Sequence, residues 1–137
     1  MVAVIWLFML HIYIKKKLEG TFDIPFNKEI MHEVILSDKS FKGTGVKTLD
    51  FAKRIIDYGM HPPTIYFPLV IQGAFMIEPT ETESRETLDQ FCETMIAIAK
   101  EVETNPELVK NAPHNTRIGR IDEVKAAREL KLRYSPE

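Results

Sequence analysis

The chain has 137 residues, 45% of them hydrophobic and 28% charged, which fits one modest domain with a single core. A formal net charge of -2 and a pI near 6.1 give no excess of Lys and Arg to neutralise phosphates, so nucleic acid is excluded as a partner. The single cysteine, Cys92, excludes an intrachain disulfide and fits a reducing, cytoplasmic setting.

In chain order, the first fourteen residues, MVAVIWLFMLHIYI, are the compositional anomaly. They are too short to span a bilayer as a helix, which takes about 20 apolar residues. Without a positive n-region or a small-residue cleavage site they do not read as a signal peptide. The reading is an apolar N-terminal helix over 1–19, made to be buried against protein outside this chain, with a membrane anchor as the minor alternative. Lys15, Lys16 and Lys17 read as a solvated helix face. Gly20 and Pro25 then mark the helix end and an extended connection into a domain over 20–137.

The segment IMHEVILS predicts a buried strand at about 30–37, placing His32 on an apolar strand as a core or interface histidine. After the polar loop DKSFKGTG, Val46, Leu49, Ala52, Ile55 and Ile56 share one stripe of a helix, capped by Thr44 or Thr48 and stopped at Gly59. HPPT must be extended or turning, because each proline disfavours the α region for the residue before it. TIYFPL and GAFMIE predict two strands flanking Gln72 and Gly73, with Pro68 confining the first to an edge or ending it at Phe67. From Thr82 the period returns to helical, with Leu88, Phe91, Cys92, Met95, Ile98, Ala99 and Val102 as the apolar stripe and Cys92 as a small core residue. NPELVKNAP predicts a short helix with Pro106 in its first turn and a stop at Pro113; RIDEVKAARELKL predicts a last helix with a frayed end. The sum is an α+β fold, a short antiparallel sheet covered by helices.

Chemistry-bearing motifs are sparse. GTG at 43–45 lacks the spacing of a phosphate loop, and His11, His32, His61 and His114 lack ligand spacing, so no metal site is expected. In EPTETESRE, Thr80 and Glu83 fit a capping box at a helix start. Glu78 differs: it ends an apolar run before Pro79, and a partly buried carboxylate there makes it a functional candidate.

Three ordered segments, MHEVILS, LDFAKRIIDYGMHPPTIYFP and MIEPTETESRETLDQFCETMIAIAKE, resemble the C-terminal region of the glycine cleavage system P-protein, the pyridoxal-phosphate-dependent glycine dehydrogenase (decarboxylating). NPELVKNAPHNT and IDEVKAAREL resemble the tail of the separate subunit 2 found in many bacteria and archaea. The resemblance covers about residues 12–133 and fades before residue 12. It implies the small C-terminal α+β domain of a fold-type-I pyridoxal-phosphate enzyme. In the intact enzyme glycine is decarboxylated and its aminomethyl group passes to the lipoyl arm of the H-protein, with the cofactor supplying the electron sink. The implied partners are the P-protein large domain or subunit 1, and lipoylated H-protein. The implied cofactor lysine lies in the large domain; Lys28, Lys39, Lys42, Lys47, Lys53 and Lys100 all have polar or helix-surface settings, so the chain alone is expected to bind no cofactor and to have no activity. It reads as a truncated product, or as an interaction module completing a separately encoded P-protein. By position in the matching motifs, His32, His61, Thr64, Glu78 and Thr80 are the substrate or domain-interface candidates.

Overall fold

The computed structural model describes residues 2–26 and 31–134, with side chains from Phe8 onward. Helix α1 (Val2–Leu18) leads to strand β1 (Val34–Ser37), a 3₁₀ turn (Asp38–Phe41) and helix α2 (Thr48–Asp57). Strands β2 (Thr64–Ile65) and β3 (Ala74–Ile77) follow, then helices α3 (Arg85–Thr104), α4 (Pro106–Lys110) and α5 (Glu123–Arg128). The sheet order is β1-β3-β2 with both neighbours antiparallel to β3, which is the α+β arrangement expected.

Alternation along the strands puts Val34, Leu36, Phe75 and Ile77 on one sheet face, all buried. Phe22, Phe41 and Phe51 meet that face, and Phe51 lies 5.6 Å edge-on to Phe75, a geometry that ring quadrupoles favour. The α3 stripe buries Leu88, Cys92, Met95, Ile98, Ala99 and Val102 as its spacing predicts. Helix α1 packs on α3 and β1. Its described side chains at i, i+4 and i+8, Leu10, Ile14 and Leu18, are buried within this chain, as is His11, while Met9 and Ile12 on the same helix are exposed.

Several elements are shorter than the sequence suggests. Position 30 lies outside the described residues, and the strand starts only at Val34. The register pairs Val34 with Ile77, so two more pairs would set Glu33 opposite Glu78 and His32 opposite Pro79, which has no N–H to extend the ladder. His32 is therefore an exposed residue ahead of the strand, not a core histidine on it. β2 ends at Ile65 because Tyr66 adopts φ +58 and leaves the strand conformation.

Neither threonine caps α2. Lys47 stands at its N-cap, with its backbone N–H donating to the Asp50 carboxylate at 2.7 Å, while the Thr48 hydroxyl donates to Asp38. Gly59 does stop the helix: at φ +76 it donates to Ile56 O while Met60 N–H reaches back to Ile55 O, a Schellman closure. The capping box at Thr80–Glu83 does not form. Thr80 O accepts from Glu83 N–H in a separate turn, and Ser84 caps α3 by accepting from Thr87 N–H at 3.2 Å. α4 forms with Pro106 at its start, as expected. α5 spans only six residues and buries none of them.

Candidate functional site

Because β1 and β2 both run antiparallel to β3, their first residues meet the last two residues of β3 at one end of the sheet, Val34 opposite Ile77 and Thr64 opposite Met76. All five candidates belong to that end. His32 precedes β1 by two positions, His61 shortly precedes β2, Thr64 opens β2, and Glu78 and Thr80 follow β3. Each is exposed. Glu78 is thus not the partly buried carboxylate expected: the flanking Ile77 and Pro79 take the buried places, and strand alternation turns Glu78 outward.

Two of the five share a groove of about 260 Å³, where His61 and Glu78 are joined by Glu83 over an apolar lining that includes Met60, Leu88 and Phe91. His32, Thr64 and Thr80 do not line it. Glu83 is the residue that sequence reasoning misplaced: it looked like the acid of a cap, but with Ser84 capping α3 it lines the groove instead. Phe91 is its companion. It shares the spacing of the core stripe, yet is only half-buried because it sits at the groove rather than at the centre of that face. The arrangement can hold a cationic or hydrogen-bond-donating group against an apolar wall. A second groove of about 470 Å³, lined by Lys42, Gly45, Tyr66 and Leu69 among others, contains none of the five candidates.

The residues of the His61–Glu78–Glu83 groove do not fit pyridoxal phosphate. A cofactor lysine must present a neutral amine, which takes a desolvated pocket or a cationic neighbour. No described lysine is buried, and Lys17 is driven the other way: hydrogen bonds to Asp89 and Tyr13 favour its ammonium form. Lys28 lies outside the described residues. The groove bears carboxylates where a phosphate would need donors. Among the described residues no cluster of three or more His, Cys, Asp or Glu could hold a metal ion. No helix among them is long and apolar enough to cross a membrane.

The strongest polar network lies away from the groove and is architectural. Arg54 grips Glu101 with two hydrogen bonds of 2.8 Å and also pairs with Asp57 at 3.1 Å, and the Tyr58 hydroxyl donates to Glu101. The Arg54 contacts, foremost, hold the Glu101 carboxyl below its ordinary range. Together they tie α2 to α3. Cys92 belongs to the core, with burial pushing its thiol up to about 12, so it is no nucleophile.

The profile of the family described as "Glycine dehydrogenase, C-terminal domain" matches residues 7–116, which takes in the sheet, the groove and most of α1. The chain belongs to this family. The match begins at residue 7, inside α1 and ahead of the residue-12 limit read from the motifs. The glycine dehydrogenase relatives agree. A "Probable glycine dehydrogenase (decarboxylating) subunit 2" of Caldanaerobacter subterraneus subsp. tengcongensis is 57% identical over 123 residues, 90% of this chain and 25% of the relative. Proteins of the same description from Lysinibacillus sphaericus and Chloroherpeton thalassium are 56% identical over 122 residues and 52% over 125, covering 89% and 91% of this chain and 25% of each relative. The chain thus spans about a quarter of the length of the curated glycine dehydrogenase relatives it matches.

Proposed function

We propose that the chain acts as the C-terminal small domain of a subunit 2-type, pyridoxal-phosphate-dependent glycine decarboxylase of the cytoplasm. Identity of 52–57% across nearly all of this chain carries the reading. In it, the remaining three quarters of such an enzyme supply the cofactor and its lysine, and these 137 residues supply the His61–Glu78–Glu83 groove as part of the rim above the cofactor domain. Glycine decarboxylation and aminomethyl transfer to lipoylated H-protein then require the large domain, together with subunit 1, as partners. By themselves these residues bind no cofactor and decarboxylate no glycine.

Coexpression with the large domain tests this. The expected outcome is a stable complex with glycine decarboxylase activity, while borohydride treatment of the chain alone with pyridoxal phosphate traps no lysine adduct. Separate elution of the two pieces, or a trapped adduct on this chain, overturns the reading. Glu78→Gln in a full-length relative is expected to lower turnover without unfolding, and unchanged kinetics reduce Glu78 to a surface acid.

A second reading, a non-catalytic module that completes a separately encoded P-protein, is favoured by the apolar tip between β2 and β3, where Leu69 is 86% and Val70 81% exposed. In that case Leu69→Asp weakens assembly while Glu78→Gln leaves the turnover of the complex unchanged.

A further inference from the structure

Beside its buried ridge, helix α1 carries a second, polar one. Tyr13 and Lys17 stand one residue ahead of Ile14 and Leu18, so the two ridges lie about 100° apart around the helix. Helix α3 faces them with Arg85 and Asp89, again at i, i+4. The Tyr13 hydroxyl donates to the Asp89 carboxylate, which also takes the Lys17 ammonium at 3.0 Å and the Arg85 guanidinium at 3.7 Å. The same two cations lie 5.4 and 5.8 Å from the centre of the Tyr13 ring. The Tyr13 hydrogen bond, ahead of the one from Lys17, holds the Asp89 carboxyl below its ordinary range.

This clasp is not what attaches α1. The burial of Leu10, Ile14 and Leu18 does that. Tyr13 is only half-buried, Lys17 and Arg85 are exposed, and ion pairs in such settings contribute little to stability. Apolar burial is non-directional, and a small rotation of α1 on α3 changes it little. A hydrogen bond weakens steeply as its donor leaves line, so the clasp supplies the direction that burial lacks.

Both ends of the clasp adjoin the groove. Tyr13 is the chain neighbour of Ile14, which lines the groove from α1, and Asp89 is the neighbour of Leu88, which lines it from α3 together with Phe91. His61, Glu78 and Glu83 belong to neither helix. We infer that Tyr13 and Asp89 are positioning residues for the His61–Glu78–Glu83 groove: their hydrogen bond sets where Ile14 stands against Leu88 and Phe91, and so the shape of the apolar wall beside the acids. The inference rests on the decarboxylase reading only for what the groove meets. Within that reading, the clasp fixes the surface on which the cofactor domain closes.

Methyl NMR of the full chain labelled at methionine tests it. Met60 lines the groove, whereas Met76 alternates with Phe75 and Ile77 and so lies on the sheet face away from the core. Tyr13→Phe keeps the ring and removes the O–H, and Asp89→Ala removes the acceptor. Each is expected to shift the Met60 methyl resonance in the same direction and to leave Met76 in place, with the urea midpoint little changed. The double variant is expected to shift Met60 no further than the larger single change, because both remove one shared contact. Asp89→Asn, which keeps an oxygen to accept the Tyr13 O–H, is expected to shift it less than Asp89→Ala. A role in attachment alone would lower the urea midpoint and leave Met60 of the folded chain unmoved. That result, shifts that add in the double variant, or equal shifts of Met60 and Met76, overturns the inference. The decarboxylase reading fails separately, by the absence of a complex with the large domain, which these spectra do not measure.

Discussion

Replacing Asp57 by alanine probes the joint on which the chain beyond α4 is hung. The carboxylate closes α2, where the negative end of the helix dipole disfavours an acid, so its place has to come from tertiary partners. Those partners are the backbone N–H groups of His114 and Asn115 and the guanidinium of Arg54. The Asp57 side chain is only 1% exposed. A hydrogen bond to a charged group contributes about 1.5–3 kcal/mol. His114 and Asn115 are exposed, so water can replace the carboxylate at their N–H groups, and the lower figure applies to each. Arg54 keeps Glu101, so little is added from its side. Asp57→Ala is therefore expected to cost about 3 kcal/mol at neutral pH. With a urea slope of about 2 kcal/mol/M, the unfolding midpoint falls by about 1.5 M. The pH dependence has a definite sign. Burial alone would raise the carboxyl pKa, but the Asn115 and His114 N–H groups and Arg54 outweigh it and hold it below the ordinary value. The contribution is fully present above the unfolded-state pKa of about 3.9 and is lost as pH falls through the folded value. The gap between parent and variant should accordingly close in acid. A loss below about 1 kcal/mol at neutral pH, or a loss that stays constant into acid, would refute the assignment of these hydrogen bonds as the source.

Three further outcomes follow from the packing. Cys92, with its thiol pushed up to about 12, is expected to resist iodoacetamide at mildly alkaline pH in the folded chain and to react at the rate of a free thiol in denaturant; rapid native labelling would contradict the core assignment. Gly73→Ala would place a Cβ 1.9 Å from Asp38 Oδ1 at φ +66, so a loss of about 2 kcal/mol or more is expected by thermal melting, with retention of the parent Tm as the contrary result. Phe51→Ala removes the ring that contacts Phe22, Phe41 and Phe75, and should cost about 3–5 kcal/mol in chemical denaturation; a loss under about 1 kcal/mol would mean the aromatic cluster is not the centre of the core.

Local periodicity carried the helices well and the site poorly, for reasons that individual residues make plain. The α3 stripe is legible because its residues answer to one continuous face. The α2 stripe is legible only in part: spacing counted from Val46, ahead of the helix, passes over Phe51, which the structure buries completely. Strand lengths were overestimated at β1 and β2 because the limits are set across the sheet, by Pro79 opposite the position of His32 and by the left-handed turn at Tyr66. Neither limit has a signal within its own strand. The Arg54–Glu101 and Asp57–His114 contacts join residues far apart in the chain, and no local pattern announces them beyond the i, i+3 spacing of Arg54 and Asp57.

The motif by which the family is recognised shows why recognition ran ahead of site geometry. Through MIEPT the burial alternates with the strand period: Ile77 and Pro79 face inward, while Glu78 and Thr80 face outward. One register builds the core end of β3, so its residues are fixed by packing. The other register emerges at the sheet end beside His61, where packing sets no demand for an acid or a hydroxyl. The same division runs through HPPTI, where His61 and Thr64 are exposed and Pro62, Pro63 and Ile65 are half-buried. A surface that packing leaves unconstrained, yet which carries a histidine and two carboxylates over an apolar wall, suits the role proposed for it as part of the rim above a cofactor domain.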